Sequence, residues 1–281
     1  MDESSVNQLL DTFVYATYVI SILAIFLEFA LLRKSGVSAN HRESLTSLIS
    51  GAFAFGGLAV ANRFLFIGLM HVAWSYRILE VDIGIAMWIG AFLLYDLMFY
   101  AAHRAGHSIR LLWCFHSVHH TSEDMRLTAA VRGSMFDFVY LPWFFVWIPL
   151  LGIHPSVLLI VEVFGRIWGV LTHVHPKFVG RLGRLDSLIV TPSVHRVHHG
   201  RNPQYLDRNY GEVLLIWDHL FRSYQAETEP PDYGVLASVD AGDFLDVQLS
   251  PWKALLRDMQ RTSSLRNRLQ IALGPPGKSS K

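Results

Sequence analysis

The sequence predicts an all-α integral membrane protein, in which four to five helices cross or re-enter the membrane and a helical cap covers one membrane face. Hydrophobic residues make up 52% of the 281 residues and charged residues only 17%, which is too apolar for an ordinary soluble domain. Several apolar stretches are long enough to cross a bilayer. The more polar remainder carries histidines at helical spacing. We therefore expect residues 1–281 to form a single membrane domain.

Three apolar stretches fill the N-terminal part, at about residues 12–102. They cover residues 12–32, 45–74 and 83–102. The first contains a single charge, Glu28, and is long enough for a hydrocarbon core of about 30 Å. Residues 1–11 lack the positive start of a signal peptide. We expect each of the three stretches to be a spanning helix.

Apolar sequence returns at residues 138–172 and is broken by Pro142, Pro149 and a Gly-to-Pro turn at 152–155. We interpret this region as a hairpin of two helices, 138–153 and 155–172, because proline disfavours a straight helix interior. Two short spans or a re-entrant pair both fit.

Residues 173–281 are polar enough to form the cap, which we predict on the cytoplasmic side. Within it, residues 209–221 form a short apolar run that should pack under the cap. Ser250 followed by Pro251 predicts the start of a helix. The basic residues that follow the first span favour the cytoplasmic side, which also places residues 103–132 there.

Histidines form three clusters, in HRAGHSIRLLWCFHSVHH (103–120) and in HRVHH (195–199). The eight histidines are His103, His107, His116, His119, His120, His195, His198 and His199. A lone histidine is usually a surface residue or a satisfied core residue. Histidines at i, i+3 and i+4 of a helix share one face, however, and neutral imidazole is a ligand for iron, zinc and copper. Eight ligands are too many for one ion, so the pattern predicts two metal ions.

A ninth ligand is expected from THVHP, which contains His173 and His175. On a helix the two side chains would differ by about 200° in direction, so both could not face one point. Pro176 disfavours helical geometry at His175, which could then turn toward the site. We therefore predict that His175, rather than His173, completes the coordination.

The three histidine motifs, H-x-x-x-H, H-x-x-H-H and a later H-x-x-H-H, resemble those of the fatty acid hydroxylase/sterol desaturase superfamily of membrane di-iron oxygenases. The flanking words DLMFYAAHRAGH, LLWCFHSVHHTSEDM and TPSVHRVHHGRNPQYLDRNYGEVLLIWDHLF also resemble its bacterial and alkylglycerol monooxygenase-like members. The resemblance covers about residues 40–275. Related sequences place a histidine sixteen residues before the Thr-Pro of the third motif, which here is His175.

The resemblance implies two iron ions, which zinc or nickel could replace on purification, and O₂ as co-substrate. It implies hydroxylation, ether-lipid cleavage through a hydroxylated intermediate, or desaturation, and the substrate would be a lipid such as a sterol, fatty acyl chain or alkylglycerol. Asp96, Asp207 and Asn209 are candidates for catalytic residues that orient the ligands, and for Asp96 a packed, hydrogen-bonded buried acid is the alternative. The chain carries no dinucleotide fingerprint or cysteine cluster, so electrons should come from a separate donor, of ferredoxin or cytochrome type, or from a reduced pterin.

Two other classes remain open at this point. A zinc-dependent lipid hydrolase could use histidines, although such sites usually need only three protein ligands. A metal-binding membrane transporter would be expected to carry its ionisable residues near the middle of its spans. Nucleic acid binding is disfavoured by the net charge of +1 and the absence of a basic stripe. The predicted location is a bacterial inner membrane or the endoplasmic reticulum.

Overall fold

The computed structural model describes residues 3–277, so the first two and last four residues of the predicted 1–281 domain lie outside it. Four helices are long and apolar enough to cross a membrane. They are built from α1 (Glu3–Lys34), α2 (His41–Ala61) with α3 (Ile67–Ser75), α4 (Ile85–Ser108) and α7 (Pro155–Thr172). Residues 3–277 contain no β-strand, only two isolated bridges. The predicted all-α fold is confirmed.

The second long helix contains a change of helical type. A π-helical turn, Asn62–Phe66, joins α2 to α3, so the chain is helical without interruption from His41 to Ser75. The start of α2 is fixed by Asn40, whose side chain accepts a hydrogen bond from the Glu43 N–H. The single apolar stretch predicted at 45–74 therefore forms one continuous helical unit, long and apolar enough to cross a membrane.

The first histidine motif lies on the last turns of α4, and the other two lie on short helices near the same end of the bundle. α5 (Arg110–His120) follows α4 after one extended residue, Ile109, and α6 (Leu127–Ala130) comes next. α8 (Pro192–His198) and α9 (Ile216–Leu220) belong to the cap.

The predicted first helix of the hairpin, 138–153, is corrected in type, because the apolar run Asp137–Leu151 is helical but is not an α-helix. The structure has three short 3₁₀ segments there, Asp137–Val139, Leu141–Phe144 and Ile148–Leu151. Pro142 and Pro149 each lie in the first turn of a segment, where a missing N–H is tolerated, but neither can continue a preceding helix. The second helix of the hairpin is confirmed as α7.

The predicted helix start at Ser250–Pro251 is also wrong. α10 (Phe244–Gln260) begins earlier, at an N-cap formed by Asp243, whose side chain accepts from the Asp246 N–H. Pro251 lies inside this helix. α10 packs against α5 and against α11 (Leu265–Leu273), so tertiary packing outweighs the local cost of the proline.

The apolar core of the bundle lies between α4, α7 and the last 3₁₀ segment, where Met87, Ile148 and Val157 are fully buried. The outer faces of α1 and of the π-helical turn instead expose large apolar side chains. Phe26 is 69% exposed and Phe64 is 83% exposed. Soluble monomers rarely expose contiguous apolar surface of this kind, whereas a bilayer would cover it.

Candidate metal centre

The first two histidine motifs are brought together where α4 meets α5. His103 and His107 are on the last turns of α4, and His116 and His120 are one turn apart on α5. Gly106 permits this close approach, because a Cβ at that position would lie only 3.2 Å from the Cβ of His116. The glycine in HRAGH therefore lets two histidine-bearing helices converge.

The third motif is positioned by a short capped helix. Thr191 caps α8 through its side chain, which accepts from the Val194 N–H, and Pro192 occupies the first turn. His195 and His198 lie on α8, and His199 is its C-cap. All three side chains are buried.

The clustered histidines form two groups, each with its candidate ligand atoms within 4.8 Å of one another. The first group is His103, His107, His116, His120 and His198, and the second is His119, His173, His195 and His199. The groups are adjacent, since the ring centroids of His120 and His199 lie 4.5 Å apart. Two neighbouring sites are thus formed from nine imidazoles.

The Nε2 atoms converge in both groups. His120 Nε2 lies 3.1 Å from the Nε2 atoms of His107, His116 and His198. In the second group, His195 Nε2 lies 3.0 Å from His173 Nε2 and 3.1 Å from His199 Nε2. Ligand nitrogens held about 2.1 Å from one metal ion and at right angles to each other would lie about 3.0 Å apart. The spacing fits ligands of a shared ion.

The opposite ring nitrogens are engaged by backbone carbonyls. The Nδ1 atoms of His103, His119, His173 and His198 lie 2.6–3.0 Å from carbonyl oxygens. The acceptors are, in the same order, Tyr210, Arg132, Gly169 and Arg208. A carbonyl oxygen can only accept a hydrogen bond, so each of these Nδ1 atoms must carry the proton. Each Nε2 is then unprotonated, and its lone pair faces the other histidines of the group. The buried His103 Nε2 has no hydrogen-bond partner among the described residues, as expected of an atom reserved for a metal.

Burial keeps the imidazoles neutral. It lowers the pKa of His119 to about 4, and it lowers the pKa values of His195 and His199 well below their usual range. Neighbouring histidines lower the latter two further. Neutral imidazole is the form that binds a transition metal, so the donor set fits metal ions of this class.

The ninth position is corrected by the structure, which places His173 and not His175 in the second group. His173 is the C-cap of α7 and lies one turn beyond Gly169, so it follows the helix face that meets the other histidines. Beyond it the chain turns away. The His175 N–H donates to Glu28 on α1, and its Nδ1 accepts from the Lys177 N–H. The helix ends at Thr172, before Pro176, and His175 lies partly buried beyond that end, outside both histidine groups.

Two of the three predicted orienting residues do not contact a histidine in the way expected. Asp96 is fully buried, and it accepts from the Val213 and Leu214 N–H groups and from Trp217 Nε1. It thus holds residues 213–217 as a packed, hydrogen-bonded buried acid, which is the second of the two interpretations that the sequence left open, and its hydrogen-bond partners among the described residues include no histidine.

Asn209 also supports the backbone around the site through hydrogen bonds. Its Nδ2 donates to the carbonyls of Val194 and Gln225, and its Oδ1 accepts from the Gln225 N–H. It therefore ties the histidine-bearing α8 to a neighbouring loop. Its φ of 57° is a left-handed conformation, which asparagine tolerates better than most residues.

Asp207 lies where an orienting carboxylate is expected. Its Oδ1 is 3.5 Å from His107 Nδ1. His107 Nε2 faces the first group from the opposite side of the ring. Asp207 also has a left-handed backbone, with φ of 59°, which turns it toward α4.

The histidine groups are approached from two sides. Toward the bundle, two neighbouring cavities of about 180 and 160 Å³ share Phe55, Phe99, His116 and Arg166 as lining residues. Toward the cap, a small cavity of about 30 Å³ is lined by His120, His198 and Asp207. The bundle side is mainly apolar, so it offers a slot for an apolar chain that reaches the histidines.

The sequence interpretation missed three features of this site, namely the four carbonyl acceptors as a set, Arg166 and Glu212. The four carbonyl acceptors carry no residue-type signal, because any residue supplies a carbonyl. Arg166 and Glu212 line the bundle-side cavity but were not singled out. Arg166 did leave a signal, because it and Glu162 are charges inside an apolar stretch, one helical turn apart.

Comparisons with known proteins agree with the motifs. Residues 88–223 match the model of the fatty acid hydroxylase family. Alkylglycerol monooxygenase from Xenopus tropicalis is 32% identical over 243 residues, which covers 84% of this chain and 52% of that protein. Alkylglycerol monooxygenase from Caenorhabditis elegans is 32% identical over 252 residues, which covers 84% of this chain and 48% of that protein.

A shorter match is to ornithine lipid hydroxylase OlsE from Rhizobium tropici, 32% identical over 151 residues, covering 51% of this chain and 44% of that protein. No solved structure matches the chain significantly. The chain spans about half the length of the relatives it matches. The matched residues 88–223 contain all nine clustered histidines, so the family match and the relatives agree with the resemblance to the fatty acid hydroxylase family that the motifs indicated.

Proposed function

We propose that this protein is a membrane-bound, O₂-dependent lipid oxygenase that holds two iron ions in its two histidine groups. The observation that carries the proposal is the convergence of nine neutral imidazoles into two adjacent groups at the inner end of an apolar cavity. The names of the relatives, alkylglycerol monooxygenase and ornithine lipid hydroxylase, support a lipid substrate.

The donor set favours redox chemistry over hydrolysis. A hydrolytic zinc site usually has three protein ligands and an open position, whereas this centre offers five and four imidazoles. Two iron ions, when bound, would supply the O₂ activation that an unactivated C–H bond requires. Overall, one oxygen atom enters the C–H bond, and the other leaves as water with two electrons and two protons from a donor. Hydroxylation is the outcome that the relatives' names favour over desaturation.

The residues of this chain perform three tasks in that reaction. The backbone carbonyls of Tyr210, Arg132 and Gly169 fix the histidine tautomers, so that the rings need no reorganisation. Asp207 orients His107. The cavity walls, among them Phe55 and Phe99, exclude water and present the chain of a lipid to the histidines.

The geometry also supports entry of the substrate from the bilayer. The histidines lie at the ends of α4 and α7, two helices long enough to span a membrane, and the cavity opens among the spanning helices. We propose that this end faces the cytoplasm, where basic residues such as Arg33 and Lys34 close α1. The electron donor would be a separate protein of ferredoxin or cytochrome type, or a reduced pterin, acting from the cap side.

The direct test is O₂ consumption by the purified protein in lipid nanodiscs with a candidate lipid and a reductant. We expect O₂ uptake coupled to an oxygenated lipid product, and loss of both in His119→Ala, which removes one member of the second group. His71→Ala is the matched control, because His71 is exposed and lies outside both groups. Lipid cleavage that proceeds equally without O₂ would contradict the oxygenase and indicate a hydrolase.

A further inference from the structure

A separate cavity lies where α1 ends and α2 begins. Its volume is about 340 Å³, compared with about 180 and 160 Å³ for the two cavities on the bundle side of the histidine groups. Its lining combines apolar side chains, Phe29 and Leu32, with the basic side chains of Arg33, His41 and Arg126. None of these residues belongs to the histidine groups, so the proposed function gives this cavity no role.

Arg126 is a buried residue whose guanidinium has unpaired donors. Only 5% of its side chain is exposed, yet its Nε and Nη1 have no hydrogen-bond partner among the described residues. Its Nη2 pairs with Asp124 and donates to the Ser38 carbonyl, 3.4 Å away. Because Ser38 also lines the cavity, this end of the guanidinium lies at the cavity wall. Unpaired donors on a buried charge are costly, so a ligand that accepts from them would be bound favourably.

The charge around the cavity favours an anion. Arg33 in the last turn of α1 and His41 at the start of α2 are both exposed lining residues. Lys177 reaches the same connecting loop, because its Nζ donates to the Ser35 carbonyl at 3.0 Å. No acidic residue is among the described residues that line the cavity.

Two carboxylates lie close to Arg126, and both are already engaged. Asp124 forms the ion pair with Nη2. Glu28 on α1 accepts from the Leu127 and His175 N–H groups, one with each oxygen, at 2.7 and 2.8 Å. A guanidinium has five N–H donors, so it can bind an anion in addition to Asp124. A phosphate group, with several acceptor oxygens, would accept from the remaining donors without displacing either carboxylate.

The position of the cavity fits a group at the membrane surface. Arg33 and Lys34 end α1, a helix long and apolar enough to cross a membrane, so the cavity would lie where the hydrocarbon region meets the headgroups. Basic residues at this level attract anionic lipids. Leu27 and Leu31, close to the same end of α1, are exposed and offer apolar surface to acyl chains.

We propose that this cavity binds the phosphate of an anionic membrane lipid, with Arg126 as the main donor and Arg33 and His41 beside it. The site lies outside the two histidine groups and does not depend on the proposed function. An occupied site links the end of α1 to the segment that carries Arg126, so it stabilises the fold. Free phosphate offers the same chemistry, and the experiment distinguishes the two sources.

The test measures binding to the full chain in a neutral detergent, without O₂ or turnover. The probes are dioleoylphosphatidylglycerol, dioleoylglycerol, which lacks the phosphate, and inorganic phosphate. Native mass spectrometry measures binding, and thermal unfolding measures stabilisation. The variants are Arg126→Gln and Arg33→Gln. Arg42→Gln is the matched control, because Arg42 is also near the start of α2 but pairs with Asp240 and is not among the described lining residues.

We expect the native protein to bind dioleoylphosphatidylglycerol about tenfold or more tightly than dioleoylglycerol, as hydrogen bonds to a charged group imply. The phospholipid should also raise the unfolding temperature. Arg126→Gln should remove most of the preference and Arg33→Gln part of it, because Arg33 is exposed and its charge is better solvated. Arg42→Gln should keep the preference unchanged.

An undiminished preference in Arg126→Gln would overturn the site, as would an equal loss in Arg42→Gln. If Arg126→Gln does not fold, Arg33→Gln decides, and an undiminished preference in that variant would overturn the site. Stabilisation by inorganic phosphate that depends on Arg126, without any preference for the phospholipid, would retain the phosphate site and reject the lipid as its source. Each result can be obtained whether or not the protein consumes O₂, so failure of the oxygenase proposal would be recognised separately.

Discussion

At the residue scale, four of the clustered histidines contact a backbone carbonyl through Nδ1 and direct Nε2 toward the centre. His173 shows this arrangement most clearly, because its Nδ1 lies 2.6 Å from the Gly169 carbonyl and its Nε2 lies 3.2 Å from His119 Nε2. Sequence spacing could predict eight of the nine histidines, because i, i+3 and i+4 positions share a face. It could not predict the ninth, which depends on how the chain leaves α7.

The pair His173 and His175 gives the sharpest residue test. We expect His173→Ala to lose about one of two bound metal ions, because it removes a member of the four-histidine group. His175→Ala is the matched control and should keep both, since its ring faces Lys177 rather than the centre. Metal analysis of both variants checks this, and loss of metal in His175→Ala alone would restore the original prediction.

A second residue test concerns Asp207. Asp207→Asn removes the charge beside His107 Nδ1 and should weaken metal binding in the five-histidine group by about 10–100-fold. Asp82→Asn, in an exposed loop far from the histidines, provides the control. Competition against a chelator measures the affinity, and an affinity equal to that of the control variant would remove Asp207 from an orienting role.

At the element scale, the fold was most predictable where apolar stretches were long. The three N-terminal apolar stretches and α7 are helical as expected, because a long apolar run has few other stable structures in a membrane. The 3₁₀ segments before α7 and the early start of α10 were not predictable in the same way. Both depend on packing partners, and α10 continues through Pro251 because it packs against α5 and α11.

Gly165 on α7 lies in close contact with Glu212 and Tyr95, so a larger residue at this position should affect the stability of the protein. Gly165→Ala should lower the free energy of unfolding by about 1–3 kcal/mol, because its Cβ would lie 2.5 Å from Glu212 Oε2 and 2.7 Å from Tyr95 Cε1. Gly56→Ala on α2 is the control, since nothing lies within 4 Å of its added Cβ. Thermal unfolding in detergent compares them, and equal stability of the two variants would mean that α7 can shift to make room.

At the scale of the whole molecule, α4 separates the two ends of the protein. It begins beside the loop that contains Glu80 and ends at the histidines, about 33 Å away along its axis. This length matches the hydrocarbon thickness of a bilayer. The cap and the Glu80 loop should therefore lie on opposite sides of the membrane.

Cysteine labelling tests that arrangement. Cys114, the native cysteine, is buried, so the background should be low. We expect Ser263→Cys, on the exposed surface of the cap, to react only from the cytoplasmic side, and Glu80→Cys only from the other. Reaction of both from one side would contradict a spanning α4, and the reverse pattern would invert the proposed orientation.

The central claim is that nine histidines form two metal sites in one chain, and metal stoichiometry tests it most directly. Protein purified under anaerobic conditions with iron supplied should contain close to two iron ions per chain, one for each group, because the Nε2 atoms of each group converge separately. A constant value of one ion per chain, in protein with all nine histidines intact and the helical fold retained, would contradict the account.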